Sequence, residues 1–172
     1  MTTVYWSTFI YKDWEINVAA TNKGLCYVET PNQSCEELCE WMKKKLPNAS
    51  LEKNDQHLNP FIKEISEYLN GERRHFSFSY DLYGTAFQLS VWEASTEIPY
   101  GETRTYAEIA QQINHPKAVR AVGAAIGANP VLFVIPCHRI IAKSGSLTGF
   151  RASLEMKRRL LILEKASQSI NY

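Results

Sequence analysis

A chain of 172 residues has the length of one compact unit or two small ones. Its 45% hydrophobic and 22% charged residues exclude wholesale disorder, and no apolar run reaches the roughly 18–20 residues that cross a bilayer. The net charge of +1 conceals an asymmetry: residues 1–84 carry 9 Lys/Arg against 12 Asp/Glu, and residues 85–172 carry 10 against 6, with no Asp. A basic half on a near-neutral chain suits an anionic partner such as nucleic acid. Met1-Thr2-Thr3-Val4-Tyr5-Trp6 lacks the basic and apolar regions of a signal peptide. Four cysteines are too few for a disulfide scaffold, so a reducing, cytoplasmic setting is expected.

The first half reads as a small α/β unit. Trp14 to Thr30 holds two strand-like runs joined at the turn residues Asn22-Lys23-Gly24. Ser34-x-x-Glu37 has the form of a capping box and predicts a helix with Cys35, Leu38, Cys39, Met42 and Leu46 on its apolar face. Asn59-Pro60 predicts a second helix start, with Gly71 at its end. His75 to Leu82 alternates as a strand does, with Phe76, Phe78, Tyr80 and Leu82 on one face.

A boundary between residues 81 and 84 fits the charge shift, dividing the chain into domains at 1–84 and 85–172. The second half is mainly helical. Thr85 caps a helix that buries Phe87, Val91 and Trp92, and Ile98-Pro99-Tyr100-Gly101 turns the chain. Thr105-x-x-Glu108 is another capping box, opening a helix to about Ile113. Asn114-His115-Pro116 breaks it, and a further helix runs to Gly127. Two short helices around a tight turn are the geometry of a helix-turn-helix, which also occurs without DNA.

The cysteines differ in context. Cys26 lies in the apolar run Leu25-Cys26-Tyr27-Val28, and Cys35 and Cys39 lie on a predicted apolar face. All three read as core residues, because free Cys packs as a small hydrophobe. No His or second Cys pair completes a zinc set around Cys35 and Cys39, so no metal is expected. Cys137 follows the apolar run Val131–Ile135 and Pro136, and precedes His138 and Arg139. Basic neighbours favour the thiolate, which is the reactive form. Adjacent side chains on a strand point to opposite faces, so His138 serves Cys137 only if the backbone bends there, as Pro136 allows.

The segment Ile135-Pro136-Cys137-His138-Arg139-Ile140 resembles the active-site hexapeptide of the O6-alkylguanine-DNA alkyltransferases, the methylated-DNA–protein-cysteine methyltransferases. Arg120-Ala121-Val122-Gly123 and Asn129-Pro130 precede it in the family's order and spacing. Tyr106 stands 14 residues before Arg120, and Glu164 stands 27 after Cys137. The likeness runs from about Thr85 to Glu164. The first half resembles the family only in size and in its alternation of strands and helices.

The resemblance implies an α+β fold, with a small ribonuclease H-like N-terminal domain and a mainly helical C-terminal domain containing a helix-turn-helix. It implies a single, irreversible transfer of the alkyl group from O6-alkylguanine, and from O4-alkylthymine, in DNA to Cys137, without a cofactor. Cys137 is then the nucleophile, His138 a base acting through a water, and Glu164 the group that orients the imidazole. Asn129 holds the turn around the site. The base must leave the duplex to be reached. By the same resemblance the second helix of the motif enters the minor groove. Arg120 fills the vacated stack, Ala121 lets the helix approach closely, and Tyr106 rotates the target phosphate and donates to guanine N3. Carbonyls of Cys137 and Ile140 and the amide of Arg151 read the guanine edge, while Phe150 packs on it. Phe150 stands where many relatives carry tyrosine, and Arg151-Ala152-Ser153 replaces a smaller, glycine-rich stretch. The expected partner is double-stranded DNA with alkylated bases, bound by a monomer. An alkyltransferase-like protein that binds lesions without transfer is the nearest alternative, and Cys137 argues against it. A helix-turn-helix regulator or a Cys/His hydrolase stands further off.

Overall fold

The computed structural model describes residues 1–145 and 152–170. The chain divides into two compact units, Met1–Tyr83 and Gly84–Tyr172.

The first unit is built on a four-stranded sheet. Strands β1 (Thr3–Tyr11), β2 (Trp14–Thr21) and β3 (Gly24–Val28) form an antiparallel meander, and β4 (Ser50–Lys53) pairs parallel with β1, giving the order β3-β2-β1-β4. Helix α1 (Glu36–Lys45) covers one face, where Leu38 and Met42 pack with Val4, Ala19, Cys26 and Tyr27. Helix α2 (Asp55–Leu69) lies on β1 and β2, with Ser7 donating to Asp55 and Tyr5 stacked on His57. Two covered faces explain why β2 and β3 read as continuous apolar runs rather than alternating ones. The tight joint at Gly24 needs its glycine, since φ is +150° and a Cβ there would lie 2.3 Å from the Ser79 carbonyl oxygen.

Several local expectations change. Ser34 and Glu37 do not form a capping box. Helix α1 starts after Cys35, a left-handed residue at φ 65°, and its amides are capped by the buried Glu29 carboxylate, which accepts from Cys35 N at 3.1 Å and Leu38 N at 2.9 Å. Glu37 instead accepts from the Thr30 amide. Cys35 and Cys39 are half-buried, because that start turns them off the sheet-facing side that Leu38 and Met42 occupy; Cys26 alone of the three is fully buried. Helix α2 is capped by Asn54, whose side chain accepts from His57 N, so Pro60 falls inside the helix rather than at its start. Gly71 does end it: at φ 77° its amide donates to the Tyr68 carbonyl while that of Glu72 reaches Glu67. Residues 75–82 make only one isolated bridge, between Leu25 and Tyr80, and are held by an aromatic row of Phe76, Phe78 and Tyr80.

In the second unit, α3 (Ala86–Thr96), α4 (Tyr106–Gln112) and α5 (Val119–Gly127) pack on one another. Thr85 with Gln88, and Thr105 with Glu108, form complete capping boxes. Helix α3 buries Val91 and Trp92, while Phe87 is only half-buried and meets His115 edge-on. The Trp92 indole donates to the Ala125 carbonyl at 2.9 Å, fastening α5 to α3. After α5, residues 129–140 run wholly buried through a 3-10 turn at Cys137–Arg139. Two-residue strands β5 (Arg104–Thr105) and β6 (Ile140–Ile141) pair in parallel, and α6 (Leu154–Ile170) closes the unit. Helix α6 buries Met156, Lys157, Leu160 and Glu164, while Leu161 and Leu163 are half-buried.

Candidate active site

The site is assembled around a clamp. Asn129, 1% exposed, accepts from Val131 N at 2.9 Å through Oδ1 and donates to the Ile135 carbonyl at 3.1 Å through Nδ2. The clamp ties a buried turn in which Phe133 adopts φ 48°, a left-handed conformation unfavourable for a bulky side chain. Pro136 then introduces the 3-10 turn, and its bend resolves the problem of adjacency. Cys137 and His138 are both buried without lying on opposite faces of a strand.

Glu164, on the buried face of α6, gathers the charged groups of the site. Its Oε2 lies 2.7 Å from His138 Nε2. Arg139 spans the same carboxylate, with Nε 2.9 Å from Oε1 and Nη2 3.0 Å from Oε2. The Gly101 amide adds a donor to Oε1 at 3.3 Å. Burial pushes the Glu164 carboxyl up, but the hydrogen bonds and charges of His138 and Arg139 outweigh it and bring it down to about 2. A carboxylate this acidic only accepts, so His138 Nε2 carries the hydrogen between them. Burial lowers the proton affinity of the His138 ring, Glu164 raises it, and Arg139 and Lys157 lower it further. Burial, with the two cations behind it, outweighs the carboxylate, so the ring's proton affinity lies below the ordinary value.

Sequence reasoning left two members of this cluster without a role. Arg139 stood out only as a cation beside Cys137, and nothing local announces its reach to Glu164. Lys157 is fully buried and donates to the Ile140 carbonyl at 2.6 Å, the oxygen that the resemblance assigns to the guanine edge. Burial brings the Lys157 ammonium down to about 8, whereas an ionised Cys137 draws it up. Its signal was present: seven residues before Glu164 is two helical turns, hence the same face.

The remaining candidates lie on the helix pair. Tyr106 is the half-buried first residue of α4. Arg120 and Ala121 are exposed in the first turn of α5, whose opposite side buries Val122, Ala125 and Ile126. Gly123 and Gly127 share the Arg120 side at helical spacing, and a Cβ at either would meet nothing within 4 Å. That side is smooth and narrow, headed by one arginine. Phe150 and Arg151 lie outside the described residues. Among the described residues no three His, Cys, Asp or Glu side chains gather as a metal site would require.

A sheet unit with a helix on each face is followed in the chain by a helical unit that buries Cys137 in the same 3-10 turn as His138 and Arg139, both bonded to Glu164. Residues 4–82 match the family model of the 6-O-methylguanine DNA methyltransferase ribonuclease-like domain, and residues 86–166 match that of its DNA binding domain. The inducible methylated-DNA–protein-cysteine methyltransferase of Bacillus subtilis is 53% identical over 167 residues, covering 97% of this chain and 93% of the relative. Its counterpart from Methanosarcina acetivorans is 39% identical, covering 94% and 98%. The crystal structure of the O6-methylguanine methyltransferase of Mycobacterium tuberculosis superposes with a TM-score of 0.83 at 36% identity, covering 95% and 94%. That of the Mycobacterium tuberculosis OGT in complex with DNA gives 0.79 at 34%, covering 96% and 94%. The chain belongs to the 6-O-methylguanine DNA methyltransferase family.

Proposed function

We propose that this protein repairs DNA by direct reversal, moving the alkyl group from O6 of guanine in double-stranded DNA onto Sγ of Cys137, once per chain. The observation that carries the reading is the buried Cys137-His138-Glu164 arrangement on a clamped turn. It supplies a soft nucleophile, a neutral base and a fixed carboxylate in one place. In the step, the Cys137 proton passes to the His138 ring through a water, and the sulfur pair forms the S–C bond. The C–O6 bond breaks, and its electron pair leaves on the guanine, which takes up a proton. The thioether has no route back, so the chain is consumed. O4-alkylthymine offers the same exocyclic alkoxy carbon and is a second substrate.

Cys137 is fully buried, so a base still stacked in a duplex does not reach it. The target therefore leaves the stack, which costs a few kcal/mol. The smooth Arg120 side of α5 suits close approach to the minor groove, with Arg120 taking the extruded base's place and Ala121 against the groove floor. Tyr106 acts on the target phosphate and on guanine N3, and Asn129 keeps the turn in shape. The Cys137 and Ile140 carbonyls meet the guanine edge. Residues 85–172 hold every group invoked, in a single chain, which supports action as a monomer. Work in the reducing cytoplasm keeps the Cys137 thiol available. Lesion binding without transfer is not favoured, because Cys137 provides the acceptor.

The test is restoration of the base. A duplex with one O6-methylguanine, incubated with the protein and digested to nucleosides, is expected to yield deoxyguanosine in place of the methylated nucleoside. Cys137→Ser is expected to leave the lesion intact. A duplex still methylated after incubation with excess wild-type protein refutes the proposal.

A further inference from the structure

We propose that Arg139 is a positioning residue for alkyl transfer: by gripping both oxygens of Glu164 it leaves the His138 ring as a proton acceptor for Cys137. The inference rests on the transfer reading above and concerns a side chain to which that reading gives no part.

Four donors converge on the Glu164 carboxylate: Arg139 Nε and Nη2, the Gly101 amide and His138 Nε2. Two of the four belong to one guanidinium, the planar fork that matches a carboxylate. The guanidinium cannot swing away readily. Its Nη1 donates to the Ile98 carbonyl at 2.7 Å, its carbon sits 5.5 Å from the Tyr100 ring centre, and Arg139 is 7% exposed. The turn after α3 therefore anchors one edge of the guanidinium, while the other edge grips the Glu164 carboxylate of α6.

An imidazole beside a buried carboxylate alone would be drawn into the protonated form, because the pair is stabilised as two opposite charges. A protonated ring has no lone pair for the thiol proton. Arg139 supplies the permanent opposite charge instead, so the carboxylate orients Nε2–H without drawing a second proton onto Nδ1. Among the described residues, the second cation acts in the same direction. Lys157, from α6, is a second cation near the ring, and Cys137 is its neighbour in the 3-10 turn. Helix α3, which also packs on the turn, buries Val91, Trp92, Ala94 and Ser95, while its carboxylates Glu93 and Glu97 are exposed.

Single-turnover transfer from an O6-methylguanine duplex, followed across pH, tests the role, with the His138 ring titrated by NMR in the same proteins. In wild-type protein the ring is expected to titrate below the ordinary 6.5. Arg139→Gln is expected to move both the ring titration and the acid limb of the rate profile upward by about 1 pH unit, because losing a neighbouring like charge favours the protonated ring. Arg139→Lys, which keeps the charge but loses the fork, is expected to retain the wild-type limb at a reduced rate. A limb and a ring titration unmoved in Arg139→Gln overturn the proposal and leave Arg139 a packing residue. Should Arg139→Gln fail to fold, the wild-type ring decides: titration at or above 6.5 is contrary to the proposal. Absence of methyl transfer in wild-type protein would instead refute the underlying function.

Discussion

At the scale of single residues, Glu164 links the stability of the second unit to pH. Its folded carboxyl is held at about 2 against an ordinary 4.5, so the stabilisation it contributes is fully present above pH 4.5 and is lost as pH falls toward 2. The shift corresponds to on the order of 3 kcal/mol. Urea unfolding measured between pH 5 and pH 2 is therefore expected to show a steep loss in wild-type protein. The same series on Glu164→Gln is expected to start from a lower stability, since a buried Arg139 loses its counter-charge at a cost of about 3–5 kcal/mol. Its slope is expected to be shallower, because the titrating carboxyl is gone. Equal slopes would mean that Glu164 is not the acid-sensitive group. The residues that define this cluster were legible in unequal degree. Cys137 and His138 announce themselves by adjacency and Glu164 through the family spacing, whereas Arg139 and Lys157 depend on contacts 25 and 17 residues away in sequence.

At the scale of elements, the two Thr capping boxes were dependable, whereas the starts of α1 and α2 were both misplaced. Thr85 and Thr105 pair with side chains three residues on, as their spacing says. The start of α1 is satisfied by Glu29, which arrives from the end of β3, so the Ser34 spacing was irrelevant there. Strand β1 was not among the expected elements although it carries the β-branched and aromatic run Val4–Tyr11 that favours strands, and β4 is exposed at all four positions and leaves no pattern to read. The alternation of residues 75–82 did mark an aromatic row, but a sheet needs backbone partners, and only Leu25 offers them. If Arg120 fills the space of an extruded base, Arg120→Ala is expected to slow repair of duplex DNA strongly and reaction with free O6-benzylguanine far less, because the free base needs no unstacking. A phosphate contact alone would weaken DNA binding uniformly and reduce the salt slope by about one. Equal losses on the two substrates would remove the wedge from the account.

For the whole molecule, the sequence-level charge asymmetry runs alongside the division of labour: every group assigned to chemistry or DNA lies after Gly84, in the basic half. The first unit is held by its own features, among them the buried Glu29, the Gly24 joint and the aromatic rows, none of which touches the proposed reaction. Its fold class was less legible than that of the second unit, because burial on both sheet faces erases the alternation that marks strands. The proposed transfer has one acceptor atom, Sγ of Cys137. Intact-mass spectrometry after incubation with excess O6-methylguanine duplex, followed by peptide mapping, addresses that atom directly. The expected result is a gain of one methyl per chain, confined to the peptide containing Cys137, with no further gain on longer incubation. Methyl on Cys26, Cys35 or Cys39, or repair of many lesions by one unmodified chain, would contradict it.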